Sequence, residues 1–167
     1  MLVFLLILMI VQMSLFHIDE YYFHRRRKVK RSEIVNALID GSLYVLPLCI
    51  AVFTPFTMEW RIVFIVLASI SCISIAKNEY FYPKLDRQER LVHSFLYVLH
   101  PILLYTFYIS WQEDFFNKYP YFWIVQITYL GLGLRTLAHQ LIYWNYIYSD
   151  DLHEQNLKND SHPKAQA

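Results

Sequence analysis

The sequence predicts an all-α fold, a polytopic bundle of about five transmembrane helices, and three observations carry that prediction. Hydrophobic residues make up 56% of the 167-residue chain and charged residues only 17%, against about 25% charged in an ordinary soluble domain. Long apolar runs recur at about the 20 residues needed to cross a hydrocarbon core. Lysine and arginine crowd into alternate loops, the asymmetry that sets orientation in a membrane.

The first predicted span is 1–18, "MLVFLLILMIVQMSLFHI". It has no basic residue before its apolar core and no small-residue cleavage site, so it reads as a retained helix rather than a signal peptide. The second span is 38–57 and the third 59–77, whose Arg61 can snorkel from the end. The fourth is 91–111 and the fifth 121–146. Residues 1–148 therefore form the bundle. Residues 149–167 are polar, lack periodicity and are expected to be a disordered cytoplasmic tail.

With the N-terminus outside, the inner segments hold Arg25, Arg26, Arg27, Lys28, Lys30, Arg31, Lys77, Lys84, Arg87, Arg90, Lys158 and Lys164, while the outer segments hold only Arg61 and Lys118. This bias predicts an integral protein of the cytoplasmic (inner) membrane, N-terminus out and C-terminus in. The run "RRRKVKR" at 25–31 is then topogenic, and its expected partners are membrane lipids. A net charge of +1 argues against a nucleic-acid partner; no protein partner is indicated. Cys49 and Cys72 sit in apolar runs and imply no disulfide framework.

An internal repeat adds organisation. "EYYFH" at 20–24 follows the first span and "EYFYP" at 79–83 the third; "LYVLP" at 43–47 lies in the second and "LYVLHP" at 96–101 in the fourth. The pattern predicts two parallel two-helix hairpins plus one added helix, an arrangement that often places a site where the halves meet.

Rotation by about 100° per residue assigns polar side chains to helix faces. His17, Glu20 and His24 share one sector, with Asp19 pointing away. Glu33, Asp40 and Tyr44 align on the second helix, Glu89, His93 and His100 on the fourth, and Arg135, His139 and Tyr143 on the fifth; Glu79 stands beyond the third span. All lie toward the cytoplasmic ends of their helices, and ionisable groups at such depths usually face the bundle interior and mark function. Glu-x-x-x-His at 20–24 and again at 89–93 puts a carboxylate and an imidazole on one face. Facing helices of soluble bundles hold two iron or manganese ions with such groups, there as Glu-x-x-His.

The expected metal residues are Glu20, His24, Glu33, Asp40, Glu79, Glu89, His93, His100 and His139, with iron, manganese or zinc as the ion. Arg135 is expected to steady a carboxylate or an anionic substrate. The histidine boxes of membrane desaturases and hydroxylases are absent from the sequence. Bis-histidine haem is an alternative, because His17/His24 and His93/His100 are each seven apart. "GLG" at 131–133 and Ser69, Ser71 and Ser74 read as close helix packing.

The string "DEYYFHRRR" together with "ERLVHSFLYVLHP" resembles an uncharacterised group of small bacterial polytopic membrane proteins. The group's pattern is D-E-x-x-F-H, E-x-x-x-H-x-x-D and E-x-x-x-H-x-x-x-x-x-x-H-P. Asp19, Glu20, Phe23, His24, Glu33, Asp40, Glu89, His93, His100 and Pro101 match it over residues 17–101, whereas Ala37 replaces the histidine of the middle element. The resemblance implies a shared site and brings no activity with it.

Two functions follow as expectations. One is a metal-dependent, di-iron-like membrane enzyme acting on a lipid-soluble substrate. The other is a non-catalytic membrane subunit whose polar stripes are interhelical hydrogen bonds. The topology has its own test: single cysteines placed in 25–31 and 84–90 should react with a membrane-impermeant thiol reagent only from the cytoplasmic side, and labelling from outside would overturn the orientation.

Overall fold

The computed structural model describes residues 2–24, 31–81 and 85–143, and the side chains of these apart from residues 2, 31, 32 and 78–81. The predicted tail at 149–167 and the basic run at 25–30 lie outside the described residues. Within them the fold is all-helical. Helix α1 (Leu2–Ile18) runs directly into a π-helical turn (Asp19–His24). Then follow α2 (Arg31–Phe53), α3 (Met58–Phe81), α4 (Arg87–Gln112), the single turn α5 (Phe115–Lys118) and α6 (Pro120–Ile142).

Four helical segments are long and apolar enough to cross a membrane: Val3–His24, Glu33–Phe53, Met58–Lys77 and Arg87–Gln112. The fifth expected span, α6, has 23 residues, a spanning length, but Gln126, Arg135, His139 and Gln140 dilute its apolar character.

Helix ends depart from the apolar windows for local reasons. Helix α2 starts at Arg31, well before residue 38, and stops at Phe53, because Thr54 precedes Pro55 and is steered away from helical geometry. Helix α4 starts at Arg87, where the Asp86 carboxylate accepts the Arg87 backbone N–H at 2.7 Å and caps the first turn. Hydropathy locates the apolar segment, whereas backbone hydrogen bonding extends the helix into its polar flanks. Pro47 and Pro101 sit inside α2 and α4, as neighbouring helices permit in membrane bundles.

The long helices form a ring in which α1 packs on α4 and α6, α2 on α3 and α6, and α3 on α4. Spans one and two of the expected first hairpin are thus sequence neighbours whose main packing partners are other helices. Gly41 lets α6 come close to α2, since a Cβ there would run into Leu137.

Leu5, Leu48, Leu103, Leu104 and Phe107 fill the centre. At the end opposite the basic loops, an aromatic cluster closes the bundle: Phe107 stacks with Tyr129 at a centroid distance of 6.0 Å, and Trp111 packs on Phe56 and Phe64. The Trp111 indole N–H donates to the Thr54 carbonyl at 2.8 Å, satisfying an acceptor freed where α2 ends. Outside, Val3, Ile7, Ile10, Ile62, Val66 and Ile73 remain exposed as an apolar belt for lipid contact.

Truncating Phe107, which is 1% exposed, should destabilise the bundle by about 3 kcal/mol through the cavity it leaves. Ile73→Ala on the lipid face should change stability by less than about 0.5 kcal/mol. Thermal unfolding of both variants in one detergent checks the contrast.

Candidate metal centre

The polar groups expected from separate helices meet at the basic end, where α1 finishes and α2 and α4 begin. The decisive local feature is the π-helical turn at Asp19–His24. An ordinary α-helix would turn Asp19 away from His24, which is the sequence expectation. Hydrogen bonding from residue i to i+5 underwinds the chain, so both Asp19, five residues before His24, and Glu20, four before it, come to His24's side. The expectation for Asp19 is therefore corrected: its side chain points into the bundle. The signal was present in the adjacent acids of "DEYYFH", which offer His24 a carboxylate at either spacing.

Asp19, His24, Glu89 and His93 each bring one donor atom within 4.8 Å of the other three, in a buried or half-buried position. His93 Nε2 lies 2.9 Å from Asp19 Oδ1 and His24 Nε2 3.6 Å from Asp19 Oδ2. The two imidazole rings stand perpendicular at 90°, with centroids 6.5 Å apart. Glu89, 2% exposed, comes from the first turn of α4, one turn before His93. This group could hold a metal ion.

Behind these donors lies a second layer. His24 Nδ1 sits 3.0 Å from Glu20 Oε2. A carboxylate oxygen accepts, so Nδ1 donates this bond, and the ring is turned with Nε2 toward Asp19. The Gln140 amide donates to the same Glu20 oxygen at 2.8 Å, and His139 Nδ1 lies 3.5 Å from Glu20 Oε1. Glu20, only 2% exposed, thereby ties α1 to α6. The Tyr97 hydroxyl lies 3.5 Å from His93 Nδ1. Aromatic packing extends the layer, since the Tyr21 ring lies 4.6 Å from His139 and 5.6 Å from His17 by centroids.

The remaining expected residues take other places. Glu33 and Asp40 line a cavity of about 140 Å³ that also touches Asp19, Glu20, His24 and His93. The Ser74 hydroxyl donates to Asp40 Oδ1, and Lys77 lies within electrostatic reach of that carboxylate. His100 stands two helical turns above His93, about 10 Å along the axis, and its Nε2 meets Ser71 Oγ at 2.8 Å. The side chain of Glu79 lies outside the described residues.

Arg135 does not join the site; it is exposed. The face that α6 turns inward is set by Gln126, Tyr129, Leu130, Gly133, Leu137 and Gln140, and Arg135 lies about 180° from that stripe. Of the histidines spaced seven apart, His17 has its Nδ1 2.8 Å from the Met13 carbonyl oxygen and His100 has its Nε2 2.8 Å from Ser71 Oγ. Gln140 and Tyr97, which support the two imidazoles, had no sequence signal beyond polarity. No protein family, curated protein or solved structure matches the chain.

The Glu20–His24 contact makes a spectroscopic prediction for chelator-treated protein. ¹⁵N chemical shifts should show His24 as the Nδ1–H tautomer, and Glu20→Ala should abolish that preference while leaving His93 unchanged. An unaltered His24 spectrum would remove Glu20 from its orienting role.

Proposed function

We propose that Asp19, His24, Glu89 and His93 bind one divalent metal ion, and that the ion serves a membrane enzyme whose lipid-soluble substrate enters the adjoining cavity. The observation that carries this reading is the paired orientation of the imidazoles. Both Nε2 atoms converge on Asp19, while each Nδ1 faces a group on its own helix, Glu20 or Tyr97. Metal-binding histidines almost always have their second ring nitrogen held in this way. A hydrogen-bonded proton between His93 and Asp19 stands where an ion would stand.

Two carboxylates and two imidazoles without a thiolate suit iron, manganese or zinc. The four donors amount to one coordination sphere. A second ion would need a bridging carboxylate, and Glu20, the carboxylate that holds His24, directs its oxygens to His24, Gln140 and His139. The reading is therefore mononuclear, in place of the di-iron-like pair expected from the repeated Glu-x-x-x-His. Bond lengths of about 2.0–2.2 Å would require the His93–Asp19 pair to open from 2.9 Å and the widest donors to close from up to 4.8 Å.

A bound ion would supply Lewis-acid or redox chemistry. The chain's own residues perform the rest: Glu20 orients the His24 ring, the π turn and α4 hold the donors, and the aliphatic part of the cavity wall admits an apolar substrate. The basic end, read as cytoplasmic from the charge bias, places the centre near one membrane surface.

Elemental analysis of protein purified without added chelator should find about one transition-metal ion per chain. Asp19→Ala and His93→Ala should each reduce that to a small fraction, and Glu20→Gln should weaken affinity by about 10- to 100-fold. Metal content far below stoichiometric and indifferent to all three variants would leave the non-catalytic subunit as the better reading.

A further inference from the structure

A second polar group lies deeper in the bundle, at the other end of the same cavity. Tyr44 from α2 and Tyr129 from α6 place their hydroxyls 2.8 Å apart, and both side chains are buried. The Tyr44 ring lies 4.4 Å from the His100 ring by centroids. All three residues line the cavity. One hydrogen bond joins the two hydroxyls, so one O–H proton of the pair is left to point elsewhere. Gln12 lies beside Tyr44 without reaching hydrogen-bond geometry. His100 is 1% exposed, and its Nδ1 is buried with no hydrogen-bond partner.

A buried polar atom without a partner costs free energy comparable to a lost hydrogen bond, and here the tyrosine pair and His100 are among the residues that line the cavity. Water alone would leave the aliphatic part of that space without a match. A buried water needs about two to four polar partners, whereas beside Tyr44, Tyr129 and His100 the wall carries Val45, Leu48, Leu96 and Leu130. A molecule with an oxygen at one end of an apolar body satisfies both parts at once. The volume of about 140 Å³ is close to that of an engineered cavity of about 150 Å³ that holds benzene.

We infer that the inner end of the cavity binds the oxygen-bearing end of a lipid-soluble molecule, a carbonyl or hydroxyl on a fragment about the size of a six-membered ring. Its oxygen accepts from the spare tyrosine proton and from His100, while its apolar body lies against the aliphatic wall. His100 stands about 10 Å from His93 along α4, so the oxygen is an anchor remote from the metal donors. This inference rests on the reading above only in identifying the bound molecule as the substrate; binding itself requires no metal.

The test therefore uses chelator-treated protein in nanodiscs, with 4-hexylcyclohexanone carrying a ¹³C carbonyl as probe. Hexylcyclohexane, which lacks the oxygen, serves as control. The ketone should bind saturably and its carbonyl stretch should move to lower frequency, as hydrogen bonding requires, while the hydrocarbon binds at least roughly five-fold more weakly. The Tyr44→Phe/Tyr129→Phe variant removes two oxygens without adding volume and should weaken ketone binding roughly five-fold. His100→Phe should block the inner end. If His100→Phe fails to fold, the tyrosine variant alone decides. Equal binding of ketone and hydrocarbon, or a carbonyl stretch unmoved by wild-type protein, would overturn the inference and leave an apolar or water-filled cavity. Because no metal is present, that failure would not touch the metal-content result, and a negative metal result would not touch this one.

Discussion

Much of the structure at the basic end depends on keeping one carboxylate, Glu20, buried. A carboxylate at 2% exposure is tolerable only if charged or polar groups replace its water. His24 and Gln140 do so directly, with His139 close by. Those partners come from the turn after α1 and from α6, so the electrostatic requirement of one side chain holds these two elements together. The same contact orients the His24 ring, and that orientation sets which ring nitrogen faces Asp19. Packing, protonation and the candidate metal donors are thus one problem solved together.

The rest of the bundle can be simple because this end is demanding. In lipid, apolar side chains gain little from facing one another rather than acyl chains, so helix association depends on close packing and interhelical polar contacts. The chain uses both. Gly41 allows close approach of α2 and α6, and Ser71–His100, Tyr44–Tyr129 and Asp40–Ser74 join pairs of helices at successive depths. Aromatic contacts around Trp111 finish the opposite end. The polar contacts therefore supply register as well as a site, which is why serines that read as packing residues turn out to be hydrogen-bond partners.

The legible part of the sequence was whatever depended on composition and on α-helical period. Apolar length located the helices, and Glu89 one turn before His93 announced a shared face. The convergence of α1, α2, α4 and α6 at one end followed from alternating direction alone. Three things were not legible. Asp19 was misplaced because its orientation depends on a change of helical period that no apolar pattern marks. Arg135 was drawn inward by its spacing from His139, although the inward face of α6 is set by Tyr129, Gly133 and Leu137 on the other side. Gln140 and Tyr97 acquire their roles only from tertiary contact. Period was the wrong assumption in the first case, and choice of face in the second.

The π turn makes the centre sensitive to length in a way that composition does not reveal. Underwinding is equivalent to one surplus residue carried within an α-helix, held between Asp19 and His24. Removing a single residue there, such as Tyr21 or Tyr22, would let ordinary winding resume and keep every acid and imidazole in the chain. Yet Asp19 would then stand four residues before His24, the spacing Glu20 now holds, and Glu20 three before it, so which acid meets which ring nitrogen would change. The donor set is thus encoded in spacing as much as in residue identity, and a chain with the same site composition but one fewer residue in this turn would be a different protein at this end.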